Sequence, residues 1–427
     1  MSKPIKILWT ANIPLPAVAP ELGLPQSPFG GWLTLMTREL AKNSRFKIAI
    51  AMRCPIAKLQ VIEKGNITYY AMPQSKRDQY DVEQQTCDTV LNEFNPDILH
   101  CEGAEMRYTR RFLQTWQGAR LLSMQGVMNG IKNYELGRLP LITMLNPFRP
   151  TIATIAVALI ANKFFRFNKR LDHELISMRK ATHLMGRTEW DKAQAYAINP
   201  QASYHACSRI LRDTFYNTRW QLDNTKRYTL FVGNAGAPRK GVHVLLHAVA
   251  QLKQHYPNIV VRIAGENAQT KGSKLKRMVG YGAYLNALVK QLNLSEHVEF
   301  LGVLQEAEMA QQLATSHAYV MSSIIENSPN TLGEAMIMGV PCVTAFAGGT
   351  PSMASDEHEA LFYRADDSAM LALKIKRIFD SDELAQHLSK HARERALVTH
   401  NPERNVEALV NTYLSITSQS LEQGNDS

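Results

Sequence analysis

Five cysteines in 427 residues, Cys54, Cys87, Cys101, Cys207 and Cys342, are too few and too scattered to staple a fold. No Cys-x-x-Cys pair occurs among them, so neither disulfides nor a zinc site is suggested. The longest uninterrupted apolar run, TIATIAVALIA at 151–161, falls well short of the ~20 residues a bilayer-spanning helix needs. The opening MSKPIKILWT leads straight into a strand pattern, without the apolar stretch and small-residue cleavage site of an export signal. The expected location is therefore cytoplasmic. No G-x-G-x-x-G joins a strand to a helix in either half, which argues against a nucleotide-dependent oxidoreductase. No Asp-x-Asp stands at a strand end, and Asp366-Asp367 reads as the start of a helix, so no metal and no cofactor are expected. Zinc-finger spacing, an aromatic-rich ribonucleoprotein motif and blocks of like charge are also missing, so nucleic acid is not an expected partner.

What is present is a net charge of +10, compatible with phosphorylated ligands or an anionic membrane surface. The length is about twice that of a single domain. Short apolar runs alternate with amphipathic stretches, the mark of parallel α/β units. The runs are IKILWTA (5–11), FKIAIAM (46–52), DILHCEG (97–103), RLLSMQG (120–126) and THLMGRT (182–188). After the polar segment TRWQLDNTKR (218–227), read as a linker, a second series begins: TLFVGNA (229–235), IVVRIAGEN (259–267), VEFLGVL (298–304), AYVMSS (318–323) and PCVTAFA (341–347). The expectation is two Rossmann-like doubly wound domains, at 1–220 and 221–400. An amphipathic helix at 401–417 and a disordered tail at 418–427 would follow.

Ligands of open parallel sheets bind beyond the carboxyl ends of the strands, so strand-end loops carry the function. The most informative loop is SSIIENSPNTLGEAMIMGVPCVT (322–344), with Glu326 on the turn and Glu334 expected in the first turn of a helix that begins near Asn330. A helix start offers unpaired N–H groups and a positive dipole end, which suit a diphosphate. Glutamates placed there can accept hydrogen bonds from adjacent sugar hydroxyls. A capping box, Thr331-x-x-Glu334, is the plain structural alternative.

The string E-N-S-P-N-x-L-G-E-A-M-x-x-G-x-P followed by Gly348-Gly349 resembles retaining glycosyltransferases of family 4, which have the GT-B fold of two such domains facing across a cleft. The likeness runs through FVGNAGAPRKGVHVLLHAVA, IAGEN and VEFLGVL in the same order, and is looser in the first half. It implies that the second domain holds a nucleotide-sugar donor: Glu334 on the ribose, Glu326 on the transferred sugar, backbone around Asn330, Thr331 and Leu332 on hydroxyls or phosphate. Lys240 matches the lysine that neutralises the leaving diphosphate, a charge the chemistry needs in the absence of a metal. The family carries an arginine five residues earlier. Here that position is Ala235, and Arg239 is the substitute to consider.

In the first domain, Gly30-Gly31 matches the loop that lies near the diphosphate. Glu102 stands where relatives have a histidine close to the anomeric carbon, and Gln125 where another histidine is common. Both keep hydrogen-bonding capacity without a group that titrates near neutrality. His100 is expected to be buried and to point away from Glu102. Arg187, at a strand end, would contact an acidic acceptor or phosphate, or pair with Asp191 at helical spacing. The resemblance therefore implies a hexosyltransferase-like enzyme acting on a glycan or lipid-linked acceptor in bacterial surface polysaccharide synthesis. A catalytically weak scaffold is the alternative that the departures leave open. Residues 147–170 join the apolar run to Phe148, Phe164, Phe165 and Phe167 among five cations, a composition suited to peripheral docking on anionic lipid. A buried helix is the competing reading of that segment.

Overall fold

The computed structural model describes residues 3–25, 30–139, 167–265 and 280–425, with side chains to 418. The described chain forms two compact units, each built on its own sheet. Residues up to 130, 167–210 and those from 400 onward make the first; 131–139 and 211–399 belong to the second.

The first unit contains β1 (Ile5–Ala11), β2 (Phe46–Cys54), β3 (Gln60–Lys64), β4 (Ile67–Pro73), β5 (Ile98–Glu102), β6 (Ala119–Ser123), β7 (His183–Gly186) and β8 (Ser203–Ala206). They lie in the order β3-β4-β2-β1-β5-β6-β7-β8, parallel throughout except for β3, which pairs antiparallel with β4 at the edge. A parallel sheet is covered on both faces, so its strands are apolar on both sides. In β1, Ile7, Trp9 and Ala11 belong to one core cluster and Leu8 to the other. Helices Gln84–Phe94 and Arg107–Thr115 cover the Leu8 face with Val90, Leu91, Phe94, Phe112 and Leu113. The opposite face is covered by helix Gly31–Leu40, with Leu33, Met36 and Leu40, and by helix Pro402–Asn425, with Leu409, Val410, Tyr413 and Ile416. Asn401 caps that helix, its Oδ1 accepting from the Arg404 N–H at 2.9 Å, with Pro402 in the first position.

The second unit contains β9 (Lys226–Val232), β10 (Val260–Ala264), β11 (Val298–Gly302), β12 (Ser316–Met321), β13 (Cys342–Phe346) and β14 (Leu361–Arg364), all parallel, in the order β11-β10-β9-β12-β13-β14. The chain winds outward from β9 in one direction and from β12 in the other. The switch point between β9 and β12 is where such a sheet receives a ligand, and their ends feed the loops 233–241 and 322–329.

The structure differs from the sequence reading in several places. Segment 218–227 is packed rather than a loose linker: Trp220 is buried, its indole N–H donating to Ser316 O at 2.9 Å and its backbone N–H to Met338 O at 2.8 Å. The chain passes between units at residues 210 and 211. The last helix runs on to Asn425 where a disordered tail was expected, because no helix breaker intervenes before Gly424. Strands β3, β4, β8 and β14 were not anticipated. β3 and β8 are short and partly polar, and too weak in pattern to stand out. As expected, Asp367 caps helix Ser368–Asp380, accepting from the Met370 N–H. Of the proposed membrane segment, 147–166 lies outside the described residues. Phe167 is buried in the first unit, and Arg170 pairs with Glu105 at 3.0 Å.

Tyr413 ties the last helix to the first sheet: it is fully buried and its hydroxyl lies 2.6 Å from His100 Nδ1. Replacement Tyr413→Ala should therefore cost about 3–5 kcal/mol in urea unfolding, and Tyr413→Phe about 1–3 kcal/mol for the unpaired imidazole. Losses below ~0.5 kcal/mol in both would show that the helix is not part of this core.

Candidate functional site

In the second unit, the loop after β9 closes as a tight Pro238–Lys240 turn, followed by Gly241 and helix Val242–Leu252. Gly241 has φ +66°, and a Cβ there would run into the carbonyl oxygen of Ser322. Glycine is required both for the left-handed backbone and for that approach. Two hydrogen bonds fasten the turn to the end of β12: Ile324 N–H to Arg239 O at 2.8 Å, and Ser322 Oγ to Lys240 O at 2.9 Å. The Lys240 side chain thereby reaches the next loop, where its ammonium pairs with Glu326 Oε1. Glu326 also accepts from Ser323 Oγ at 2.8 Å. Burial works to raise its pKa, but Lys240, assisted by Arg239 and Ser323, holds it below the ordinary carboxylate value. The Gly348-Gly349 turn supports the same loop, Gly349 N–H donating to Glu326 O at 2.9 Å.

Helix Asn330–Met338 follows, and no side chain caps it. Pro329 occupies the cap position and the N–H groups of Leu332 and Gly333 turn back onto its carbonyl, leaving Asn330 and Thr331 at the helix start. The capping-box reading is thus wrong. Thr331 lies inside the helix and its Oγ1 accepts from the Tyr319 hydroxyl at 2.9 Å. Leu332 is a core residue, so any ligand contact from it must come from backbone. Glu334 is the fifth helical residue, beyond the first turn in which the sequence reading put it. Its Oε1 accepts from Arg212 Nη2 at 2.7 Å and Nε at 3.1 Å. Its Oε2 is buried without a partner among the described residues. Burial raises the carboxyl pKa to about 7 against the opposing pull of Arg212. An unpartnered acceptor of this kind is costly unless something donates to it.

Arg239 does not stand free beside Lys240. Its Nε lies 3.0 Å from Glu135 Oε1, on the 131–139 segment. Ala235 is buried and donates its N–H to Ala264 O, so the place of the missing arginine is taken up by packing. Sequence patterns did not single out Arg212 or Glu135. Both reach the site across the chain from segments without a strand-end motif.

In the first unit, Glu102 ends β5 with only 3% of its surface exposed. Gln125 Nε2 donates to its Oε2 at 3.5 Å, and Arg209 Nη2 lies 3.6 Å from the same oxygen. Arg209 stacks on Trp32 at 3.5 Å, a cation–π contact that no motif advertised. The Arg187 guanidinium donates to the carbonyls of Met124 and Gln125. Asp191 instead accepts from the Arg187 backbone N–H, so the side-chain pair weighed as the alternative role of Arg187 is not formed. His100 is buried, but on the same side as Glu102, 3.7 Å away. Residues two apart on a strand share a face, and the sequence reading erred there. Burial pushes the His100 pKa down to about 3, so the neutral ring makes no ion pair. Trp32, His100, Glu102, Arg187 and Arg209 line a cavity of about 30 Å³, room for roughly two waters and not for a sugar. Gly30 and Gly31 open helix Gly31–Leu40 in this unit, Gly30 with φ +85°. Lys240, Arg239, Glu326, Glu334, Asn330, Thr331 and Leu332 thus gather in the second unit, and Glu102, Gln125, Arg187, Gly30 and Gly31 belong to the first.

Residues 214–395 match the family model described as glycosyl transferases group 1. The chain is 26% identical over 181 residues to a putative glycosyltransferase, YtcC, of Bacillus subtilis, a stretch covering 42% of each protein. It thus spans less than half the length of the curated relatives it matches first. Among solved structures, sucrose-phosphate synthase from Thermosynechococcus elongatus superposes with a TM-score of 0.71 at 14% identity, over 97% of this chain and all of that one. Anabaena HepE in complex with UDP gives 0.66 at 12% identity, over 97% and 100%. These likenesses establish the fold as GT-B, with two Rossmann-like α/β domains.

The buried Glu334 carboxyl has a measurable signature. Infrared difference spectra, wild type minus Glu334→Gln, should show a carboxyl band that gives way to carboxylate with a midpoint near pH 7, displaced upward in Arg212→Ala. A group ionised down to pH 5 would contradict this account of its surroundings.

Proposed function

We propose that this chain transfers a sugar from a nucleotide-diphosphate donor to a hydroxyl of a glycan or lipid-linked acceptor, with retention of anomeric configuration and without a metal. The observation that carries the reading is the constellation at the β9–β12 switch point. A cation is held by Glu326 beside an uncapped helix start, and Glu334 presents one buried oxygen with no donor. The group 1 match over 214–395 and the binding of UDP by a protein of the same fold support it.

In this reading Glu334 Oε2 accepts from a ribose hydroxyl, and Glu326 from the transferred sugar. The helix start at Asn330 and Thr331, with Lys240 and Arg239, takes the diphosphate. The bond between the anomeric carbon and the diphosphate oxygen breaks, and its electron pair leaves with the diphosphate. Lys240 stabilises that developing charge, the part a divalent cation plays elsewhere. The acceptor hydroxyl bonds to the same face, and its proton passes to a departing phosphate oxygen. By the family resemblance, Gly30 and Gly31 serve the diphosphate, Gln125 and Arg187 serve the acceptor, and Glu102 is the competing base. Its burial behind Gln125 favours the phosphate oxygen. A second reading, a catalytically weak scaffold in bacterial polysaccharide assembly, draws on Ala235 and on the engagement of Arg239 by Glu135.

With a panel of UDP-, GDP- and ADP-sugars, the wild type should release nucleoside diphosphate and transfer sugar in the presence of chelator. Lys240→Ala should lower kcat by ~10²-fold or more. Glu102→Gln should retain activity if the phosphate oxygen is the base. Activity that is restored only by Mg²⁺ or Mn²⁺ would refute the metal-free mechanism, and no turnover with any donor would favour the scaffold.

Peripheral attachment rests on the composition of 147–170. Vesicles containing anionic lipid should co-sediment the protein at low salt, less so after Phe164→Ala with Phe165→Ala. No binding at low salt would remove the membrane from this proposal.

A further inference from the structure

Both cations of the Arg239-Lys240 turn are neutralised by carboxylates of the same unit. Lys240 is taken by Glu326, from the neighbouring strand-end loop, and Arg239 by Glu135. The second pairing plays no part in the transfer reaction proposed above.

Glu135 sits on the short turn that follows Lys132–Tyr134, and this turn is closely seated on the cationic one. Gly137 has φ +59°, and a Cβ there would collide with the carbonyl of Pro238, the residue before Arg239. Tyr134 and Leu139 pack against the core of the second unit, and Arg138 pairs with Asp366. Glu135 therefore reaches Arg239 from an anchored backbone, and little of it meets solvent. The Arg239 guanidinium is incompletely used: Nε faces Glu135, while Nη1 is buried with no partner among the described residues. A planar guanidinium accepts carboxylate and phosphate oxygens through the same fork of donors.

We propose that Glu135 is a specificity-determining residue that stands in for a phosphate on Arg239, so that binding of the nucleoside diphosphate exchanges one anion for another. The proposal rests on the donor-site reading above and adds a competitor built into the protein. Its consequence is selectivity. A ligand must bring enough negative charge to displace a held carboxylate. A nucleoside diphosphate does so, and a nucleoside or monophosphate, ending short of Arg239, does not. On displacement the 132–139 turn loses one of its ties to the cationic turn, so the turn itself senses an occupied site.

The test is calorimetric titration of the full chain with UDP, GDP and ADP, each against its monophosphate. Glu135→Gln should bind the preferred diphosphate about tenfold more tightly and the monophosphate unchanged. Arg239→Ala should bind the diphosphate more weakly, and adding Glu135→Gln to it should restore nothing. Thermal unfolding of each variant without ligand identifies any general loss of structure. Unchanged or weaker diphosphate binding by Glu135→Gln, with Lys240→Ala still impaired, overturns the role of Glu135 and leaves the donor site standing. Equal gains for mono- and diphosphate also overturn it, because the gain would then not come from the added phosphate. If Lys240→Ala binds every nucleotide like the wild type, the donor-site assignment and this proposal fall together.

Discussion

The approach of one backbone to another, Gly241 against the carbonyl of Ser322, sets the rest of the candidate site. It brings the turn after β9 and the loop after β12 into register, and the bonds from Ile324 and Ser322 then fix that register. Lys240 meets Glu326 because of it. Both loops leave adjacent parallel strands at the point where the winding of the sheet reverses, so the fold provides the gap and the glycine allows it to close. The charged pair is a result of this backbone contact and not its cause.

Electrostatically, the site is balanced within itself. Glu326 and Glu135 answer Lys240 and Arg239, and Arg212 answers Glu334. Isolated charges at such depth would be costly, and pairing offsets most of that cost. The balance is incomplete at two atoms, Glu334 Oε2 and Arg239 Nη1, both buried and unpartnered among the described residues. One is an acceptor and the other a donor. On the donor-site proposal above, the acceptor would meet a ribose hydroxyl and the donor a phosphate oxygen.

Much of this was legible in the sequence. Long, apolar strands such as β1, β2 and β12 are buried on both faces and read clearly, as did the two glutamates and Lys240. What escaped depended on partners distant in the chain. Arg212 lies 122 residues from Glu334, and no spacing rule connects them. Glu135 reaches Arg239 from a segment that lies in sequence between β6 and β7 of the first sheet but packs with the second unit. The polar stretch at 218–227 read as a linker because its composition is hydrophilic, yet one residue, Trp220, is enough to anchor it. The misplacement of His100 was of another kind, a lapse in strand periodicity that the alternation rule itself corrects.

The closing of the first unit by residues from 400 onward has a consequence for synthesis. Domains ordinarily fold in the order in which they leave the ribosome, the N-terminal one first. Here the face of the first sheet that carries Trp9 and His100 is covered by Leu409, Tyr413 and Ile416, which are translated after the whole of 211–399. The second unit can be complete on the emerging chain while the first still exposes that face. At elongation rates of about 5–20 residues per second, the interval between the end of β8 and Tyr413 lasts roughly 10–40 s. For that time the part of the face that Leu409, Tyr413 and Ile416 cover stays open, an apolar surface that only the end of the chain can close.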